Sequence, residues 1–179
     1  MPSTLVVVAH PDLARSRISS AWITALRDDG RATVHVLTEI LQQPGFDVER
    51  EKELLVAHTR IILLFPFHWY SAPAILHSWL DLVLVHGWAY GPEATALAGK
   101  ELALAVSTWS TESDYSASGR YGYSMRELTA PYEVTAKRIA MVYLPAHILN
   151  GVGRVTDEEL RTNASALVIW ANTDPAKSP

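Results

Sequence analysis

Cysteine is absent from the 179-residue chain, which excludes disulfides, thiolate nucleophiles and cysteine-ligated zinc or iron–sulfur centres. A basic excess is also absent. Fifteen lysines and arginines against nineteen aspartates and glutamates leave a net charge of −4. Such a surface does not neutralise a phosphate backbone, so nucleic-acid binding is not expected. No apolar run is long enough to span a bilayer. The first residues, MPSTLVVVAHPD, lack the basic start and small-residue cleavage site of a signal peptide, so a cytoplasmic location is the expectation. Neither GxGxxG nor GxxxxGKS occurs, which removes the dinucleotide fingerprint and the nucleoside-triphosphate P-loop.

What the chain does have is rings: six tryptophans and seven tyrosines. Its length predicts one domain, residues 1–171, followed by a polar, proline-bearing tail at 172–179 that is expected to be disordered. Residues 5–9 (LVVVA), 33–37 (TVHVL), 60–65 (RIILLF), 102–106 and 139–144 (IAMVYL) read as strands, most of them apolar on both faces. Residues 16–26, 48–57, 73–85, 125–137 and 156–170 read as helices, the fourth bent at Pro131, and 42–47 reads as a turn. Alternating buried strands and helices predict an α/β fold: a parallel sheet covered on both faces. Five strands fit the flavodoxin-like order 2-1-3-4-5, although the pattern alone also allows the Rossmann order. Either order places a ligand beyond the carboxyl ends of the strands.

Three loops lie at that end. AHPDLARSRIS is a strand-to-helix connection with a serine cap, or a phosphate cradle made by Ser16, Ser19 and free N–H groups, with His10, Arg15 and Arg17 as further donors. PFHWYS puts four rings in a row where a loop runs over the surface, and they cannot all turn inward. A flat conjugated ligand gives them a use. STWSTESDYSASGRYGY is long and polar, and its phenols Tyr115, Tyr121 and Tyr123 can donate to a substrate oxygen. Trp88 and Tyr90, in GWAYG, read as a helix end tucked into the core or as a homodimer surface.

The block PFHWYSAPAILHSWLDLVLVHGWAYG resembles the NAD(P)H:quinone oxidoreductases of the flavodoxin-like superfamily. Within them it is similar to the ancillary oxidoreductases of glutathione-gated potassium-efflux systems. AHP, WYS, SW-x-D and GWAYG match in order and spacing. The resemblance implies a flavin, FMN or alternatively FAD, with the short chain favouring FMN. It implies that His10 and Ser16, Arg17, Ile18 and Ser19 bind the flavin phosphate. It implies that Pro66, Phe67, His68, Trp69 and Tyr70 line the isoalloxazine and that Ser107, Thr108, Trp109 and Ser110 bind its other edge. Tyr115 and Tyr121 fall where the larger relatives serve the reduced flavin, so they are the catalytic candidates. Trp88 and Tyr90 would come from the partner subunit of a homodimer to cover the substrate. The implied activity is two-electron, ping-pong hydride transfer from NAD(P)H to a quinone. A potassium-efflux antiporter is the implied partner, which would hold the chain at the inner membrane.

The chain departs from the family pattern in three places. Ser19 stands for asparagine, Tyr121 for histidine, and Ser107-Thr108-Trp109-Ser110 for Thr-Thr-Gly-Gly. A regulatory flavin-binding subunit with little turnover is the alternative function. A zinc-dependent deacetylase, suggested by VVVAHPD, is a remote one, because no His-x-x-His pair follows, and no metal site is expected. His35 and His147 read as packed or capping, and Trp22, Trp79 and Trp170 as core.

Overall fold

The computed structural model describes residues 2–40 and 45–173. Its strands are β1 (Thr4–Val8), β2 (Ala32–Val36), β3 (Arg60–Pro66), β4 (Glu101–Ser107), β5 (Val142–Tyr143) and β6 (His147–Leu149). They form one parallel sheet in the order β2-β1-β3-β4-β5, with β6 also pairing with β4. This is the expected flavodoxin-like order with one strand more. The helices are α1 (Arg17–Asp29), α2 (Leu37–Ile40), α3 (Val48–Ala57), α4 (Ala74–Val83), α5 (Met125–Leu128), α6 (Ala130–Arg138) and α7 (Asp157–Asn172).

Alternation along the central strands divides the core between the two faces. Val6, Val8, Ile62, Leu64, Ala103 and Ala105 face Trp22, Ile23 and Leu26 of α1 and Leu160 and Leu167 of α7. Leu5, Val7, Ile61, Leu63, Phe65 and Leu104 face Leu55, Leu76, Trp79 and Tyr132 on α3, α4 and α6. Each large aliphatic side chain buried in this way contributes roughly 1.5–3 kcal/mol. At the sheet end away from the three loops, the buried Arg60 guanidinium pairs with Glu101 at 2.7 Å. It also donates to the carbonyls of Ala171 and Thr173, which fastens the end of α7.

Several expectations are corrected. The fifth strand, read as 139–144, is only Val142–Tyr143, and a further piece, His147–Leu149, follows Pro145, which cannot donate to a ladder. The helix read as 125–137 is two helices meeting at Thr129, with Pro131 in the first turn of α6, where its missing N–H costs nothing. Leu37 belongs to α2 rather than to the second strand. Asn172, assigned to the tail, is the buried last residue of α7, where its side-chain amide donates to Val168 O at 2.8 Å. Residues 42–44 of the expected turn and 174–179 of the expected tail lie outside the described residues.

One buried network was not legible in advance. Glu51, on a helix that reads as short and charged, is 1% exposed. Its Oε2 accepts from Trp79 Nε1–H at 2.7 Å and lies 2.8 Å from His35 Nε2. One carboxylate thus links α3, α4 and β2, and the burial is tolerable because its partners are in place.

Candidate active site

The site is built on the carboxyl ends of β1, β3 and β4, and the sheet ladder continues into the loops. Ala9 N–H donates to Leu64 O at 2.9 Å, Phe67 N–H to Ser107 O at 2.8 Å, and Thr108 N–H to Leu149 O at 2.9 Å.

In the first loop, Ser16 caps α1 and its Oγ accepts from Ser19 N–H at 3.1 Å. The N–H groups of Arg17 and Ile18 have no acceptor among the described residues, so the helix start suits an anion. The Ser19 hydroxyl is buried with no partner. His10 Nδ1 accepts from Asp12 N–H at 3.1 Å, which leaves Nε2 to carry the proton as a donor. Burial lowers the pKa of His10, and neighbouring His68 lowers it further, so the ring is neutral at neutral pH. Two expected phosphate residues are placed otherwise. The Arg17 guanidinium reaches across to Val155 O and the Asp157 carboxylate. The Ile18 side chain is core, which leaves only its backbone N–H toward the loop.

The second loop folds back on itself as a tight turn. His68 and Ser71 exchange N–H···O bonds of 2.9 Å in both directions. The two residues between them have left-handed backbones, with φ 49° at Trp69 and 61° at Tyr70. Both central residues of a two-residue turn of this kind need φ > 0, which glycine or asparagine normally supply. Two aromatic residues hold the conformation here instead. Trp69 stands 93% exposed, and neither central N–H has an acceptor among the described residues.

The third loop is compact rather than structureless. A single 3-10 turn, Glu112–Asp114, is closed by a capping box between Thr111 and Asp114. A Cβ on Gly119 would stand 2.2 Å from Ser113 O, so only glycine permits this closure. The loop carries Tyr115 and Tyr121 to the second loop, and four rings assemble. The centroids of Phe67 and Tyr115 are 6.2 Å apart, those of Tyr115 and Tyr121 5.1 Å, those of Tyr70 and Tyr121 5.3 Å, and those of Phe67 and Tyr70 6.5 Å. Ser110 Oγ lies 2.7 Å from the Tyr121 hydroxyl. Burial raises the pKa of Tyr115, an effect partly offset by the Ser110 and Thr108 hydroxyls, so its phenol stays a proton donor at neutral pH. Tyr123 is exposed and takes no part in this cluster.

Trp109 makes no ring contact with the cluster; its indole lies against Gly153 in the loop between β6 and α7. That loop was missed from the sequence. Gly151 N–H donates to Ser110 O at 2.8 Å, Val152 N–H to Thr108 O at 3.1 Å, and Thr108 Oγ1–H to Asn150 Oδ1 at 2.9 Å. The glycines of LNGVGR were the available signal. Trp88 and Tyr90 are half-buried, with the Lys52 ammonium 5.6 Å from the Trp88 ring and the Arg138 guanidinium 4.7 Å from that of Tyr90. Tyr90 and Tyr70 line one open groove of about 540 Å³.

Comparison with known proteins follows the same lines. A family described as having a flavodoxin-like fold matches residues 2–171. An uncharacterised NAD(P)H oxidoreductase, YrkL of Bacillus subtilis, is 45% identical over 96% of this chain and 98% of its own. The chain belongs to the flavodoxin-like NAD(P)H oxidoreductases. Within this family it is 32% identical, over 96% of the chain and 94% of the relative, to KefG of Pectobacterium atrosepticum, an ancillary protein of the glutathione-regulated potassium-efflux system. Two solved structures are also similar. General stress protein 14 of Treponema denticola in complex with FMN has a TM-score of 0.89 at 36% identity, covering 96% of this chain and 98% of that one. An NADPH-quinone reductase from P. pentosaceus has a TM-score of 0.87 at 34% identity, covering 96% and 99%. Among the described residues, no helix is long and apolar enough to cross a membrane.

Proposed function

We propose that this oxidoreductase binds FMN at the three loops and reduces quinones with NAD(P)H. The observation that carries the reading is the strained, ring-bearing turn His68-Trp69-Tyr70-Ser71 facing a tyrosine cluster at the sheet's carboxyl end. Left-handed backbones at two aromatic residues are costly and gather at ligand clamps. The loops also fit the group chemically. The open first turn of α1, with Ser16, the partnerless Ser19 hydroxyl and His10, suits a phosphate. The free N–H groups of Trp69 and Tyr70 suit a polar ring edge, and the FMN complex of a 36%-identical relative supports the assignment.

When bound, the flavin supplies two-electron chemistry, taking hydride from NAD(P)H and passing it to a quinone in a ping-pong sequence. The protein's part is placement and proton supply. The Phe67 and Tyr70 rings, packed edge to face, and the exposed Trp69 indole would border the flavin. The backbone of Ser107–Ser110, held by the Asn150–Val152 segment, forms the opposite edge. Tyr115, kept protonated by burial, would donate a hydrogen bond to developing negative charge and pass its proton to the product, solvent then restoring it. Tyr121, tied to Ser110, orients it. A second copy of the chain brings its Trp88 and Tyr90 over the substrate.

The deciding experiment is a visible spectrum after loading with FMN or FAD and removing the excess. Retained bands that bleach anaerobically with NAD(P)H and return with a quinone are expected. Failure to retain either flavin sinks the reading. Tyr115→Phe should slow flavin reduction; wild-type rates remove it from that role. Light scattering is expected to give a dimer, and a monomer takes Trp88 and Tyr90 out of the site.

The similarity to KefG favours a second role beside turnover: docking at the cytoplasmic face of the inner membrane on a potassium-efflux antiporter. Flavin retention without steady quinone turnover, together with raised efflux on co-expression with the antiporter, marks that role as the principal one.

A further inference from the structure

Beside the tyrosine cluster, bordered by Trp109 and Ser110 at the end of the flavin-edge segment, lies a cleft of about 320 Å³. Trp109, Asp114, Arg120, Gly153 and Arg154 line it. The Trp109 indole is 79% exposed, and its benzo edge is seated on Gly153. A Cβ at Gly153 would come within 2.9 Å of that ring, so the glycine fixes where the indole lies. Neither Arg120 nor Arg154 has a side-chain hydrogen bond or ion pair among the described residues. The Asp114 carboxylate is already engaged, with Oδ2 accepting from Thr111 N–H at 2.9 Å and Thr111 Oγ1–H at 2.6 Å. Those bonds, and then the charges of Arg120 and Arg154, hold its carboxyl below the usual range. Two guanidiniums against one carboxylate leave the cleft cationic.

A flat exposed indole beside two free guanidiniums is the chemistry that receives a purine bearing phosphate. The base stacks on the ring, and the guanidinium fork matches phosphate oxygens. The cleft also adjoins the candidate active site through Ser110 and Arg120. Arg120 lies over the Tyr121 ring, its Cζ 5.6 Å from the centroid, and Tyr121 packs on Tyr70 and Tyr115. A nicotinamide dinucleotide whose reactive ring enters the tyrosine cluster must carry its adenosine end to a neighbouring surface.

We propose that this cleft receives the adenosine end of the electron donor, with Trp109 under the adenine and Arg120 and Arg154 on the 2′-phosphate, so that NADPH is preferred to NADH. The proposal rests on the oxidoreductase reading. The AMP half of FAD offers the same chemistry, so the experiment separates the two sources.

The FMN-loaded protein is titrated calorimetrically with 2′,5′-ADP and with 5′-AMP, and steady-state kinetics are measured with NADPH and NADH. Tighter binding of 2′,5′-ADP and a preference for NADPH are expected. Arg154→Gln should lower the NADPH-to-NADH ratio of kcat/KM by ~10-fold or more, the usual worth of a charge-assisted contact, with partial recovery in Arg154→Lys. Trp109→Ala should weaken both donors together and leave the ratio in place. Equal use of the two donors, or an Arg154→Gln variant with an unchanged ratio, overturns the proposal and leaves the oxidoreductase reading standing. A variant that loses FAD but not FMN, with donor KM values unchanged, gives the cleft to the cofactor and also overturns it. A retained flavin that neither donor reduces ends both readings.

Discussion

Replacing Trp69 by asparagine separates backbone strain from side-chain packing at the candidate site. Trp69 holds φ 49° with its ring 93% exposed, so the substitution removes little buried surface. A non-glycine residue in the left-handed region costs of order 1–3 kcal/mol, and asparagine visits that region with far less penalty. Trp69→Asn is therefore expected to stabilise the flavin-free protein by about 1 kcal/mol, which raises Tm by roughly 2–4 °C for a chain of this size. Tyr70 is the contrast. Its φ of 61° offers the same backbone gain, but its ring packs on Tyr121 at 5.3 Å and on Phe67 at 6.5 Å. Each such pair is worth about 0.5–1.5 kcal/mol, so Tyr70→Asn should be neutral or destabilising. The assay is a circular-dichroism melt of the flavin-free variants, followed by an FMN titration read through flavin fluorescence. Trp69→Asn should melt higher yet bind FMN roughly 5- to 10-fold more weakly through the lost indole contact. A variant that melts at or below wild type refutes the argument that strain is held at this turn.

Other outcomes are equally open to measurement. Glu51→Ala leaves Trp79 Nε1–H and His35 without their acceptor and should cost about 2–4 kcal/mol, read as a lowered urea midpoint. Gly119→Ala forces Ser113 O away from its 2.2 Å clash, so the third loop should open and flavin reduction slow, while the global Tm falls by only a few degrees. Burial depresses the pKa of His147 below its ordinary 6.5. As pH falls below 6.5 the unfolded chain takes up that proton before the folded one does. Stability is thus fully present above 6.5 and declines toward the depressed folded value. His147→Gln, which can keep a bond to Asn163, should flatten the fall in urea midpoint between neutral pH and pH ~5; an unchanged slope would contradict the assignment.

The sequence by itself determined the layered fold and the location of its chemistry. Runs such as LVVV and IILLF are apolar at every position, and only a sheet covered on both faces buries them all. Loops at the carboxyl ends of those strands were then the place for function, and the rings of FPFHWY marked one of them. Tertiary structure decided everything that depends on which distant groups meet. Glu51 is buried because β2 and α4 bring His35 and Trp79 to it, not because of its own helix. Arg17 leaves the first loop because Asp157, 140 residues away, accepts it. The tyrosine cluster exists because Gly119 lets the third loop close, and Trp109 faces the cleft because Gly153 leaves room for its ring. Local propensity acts over a few residues, whereas these contacts are made between loops that the sheet order alone brings side by side.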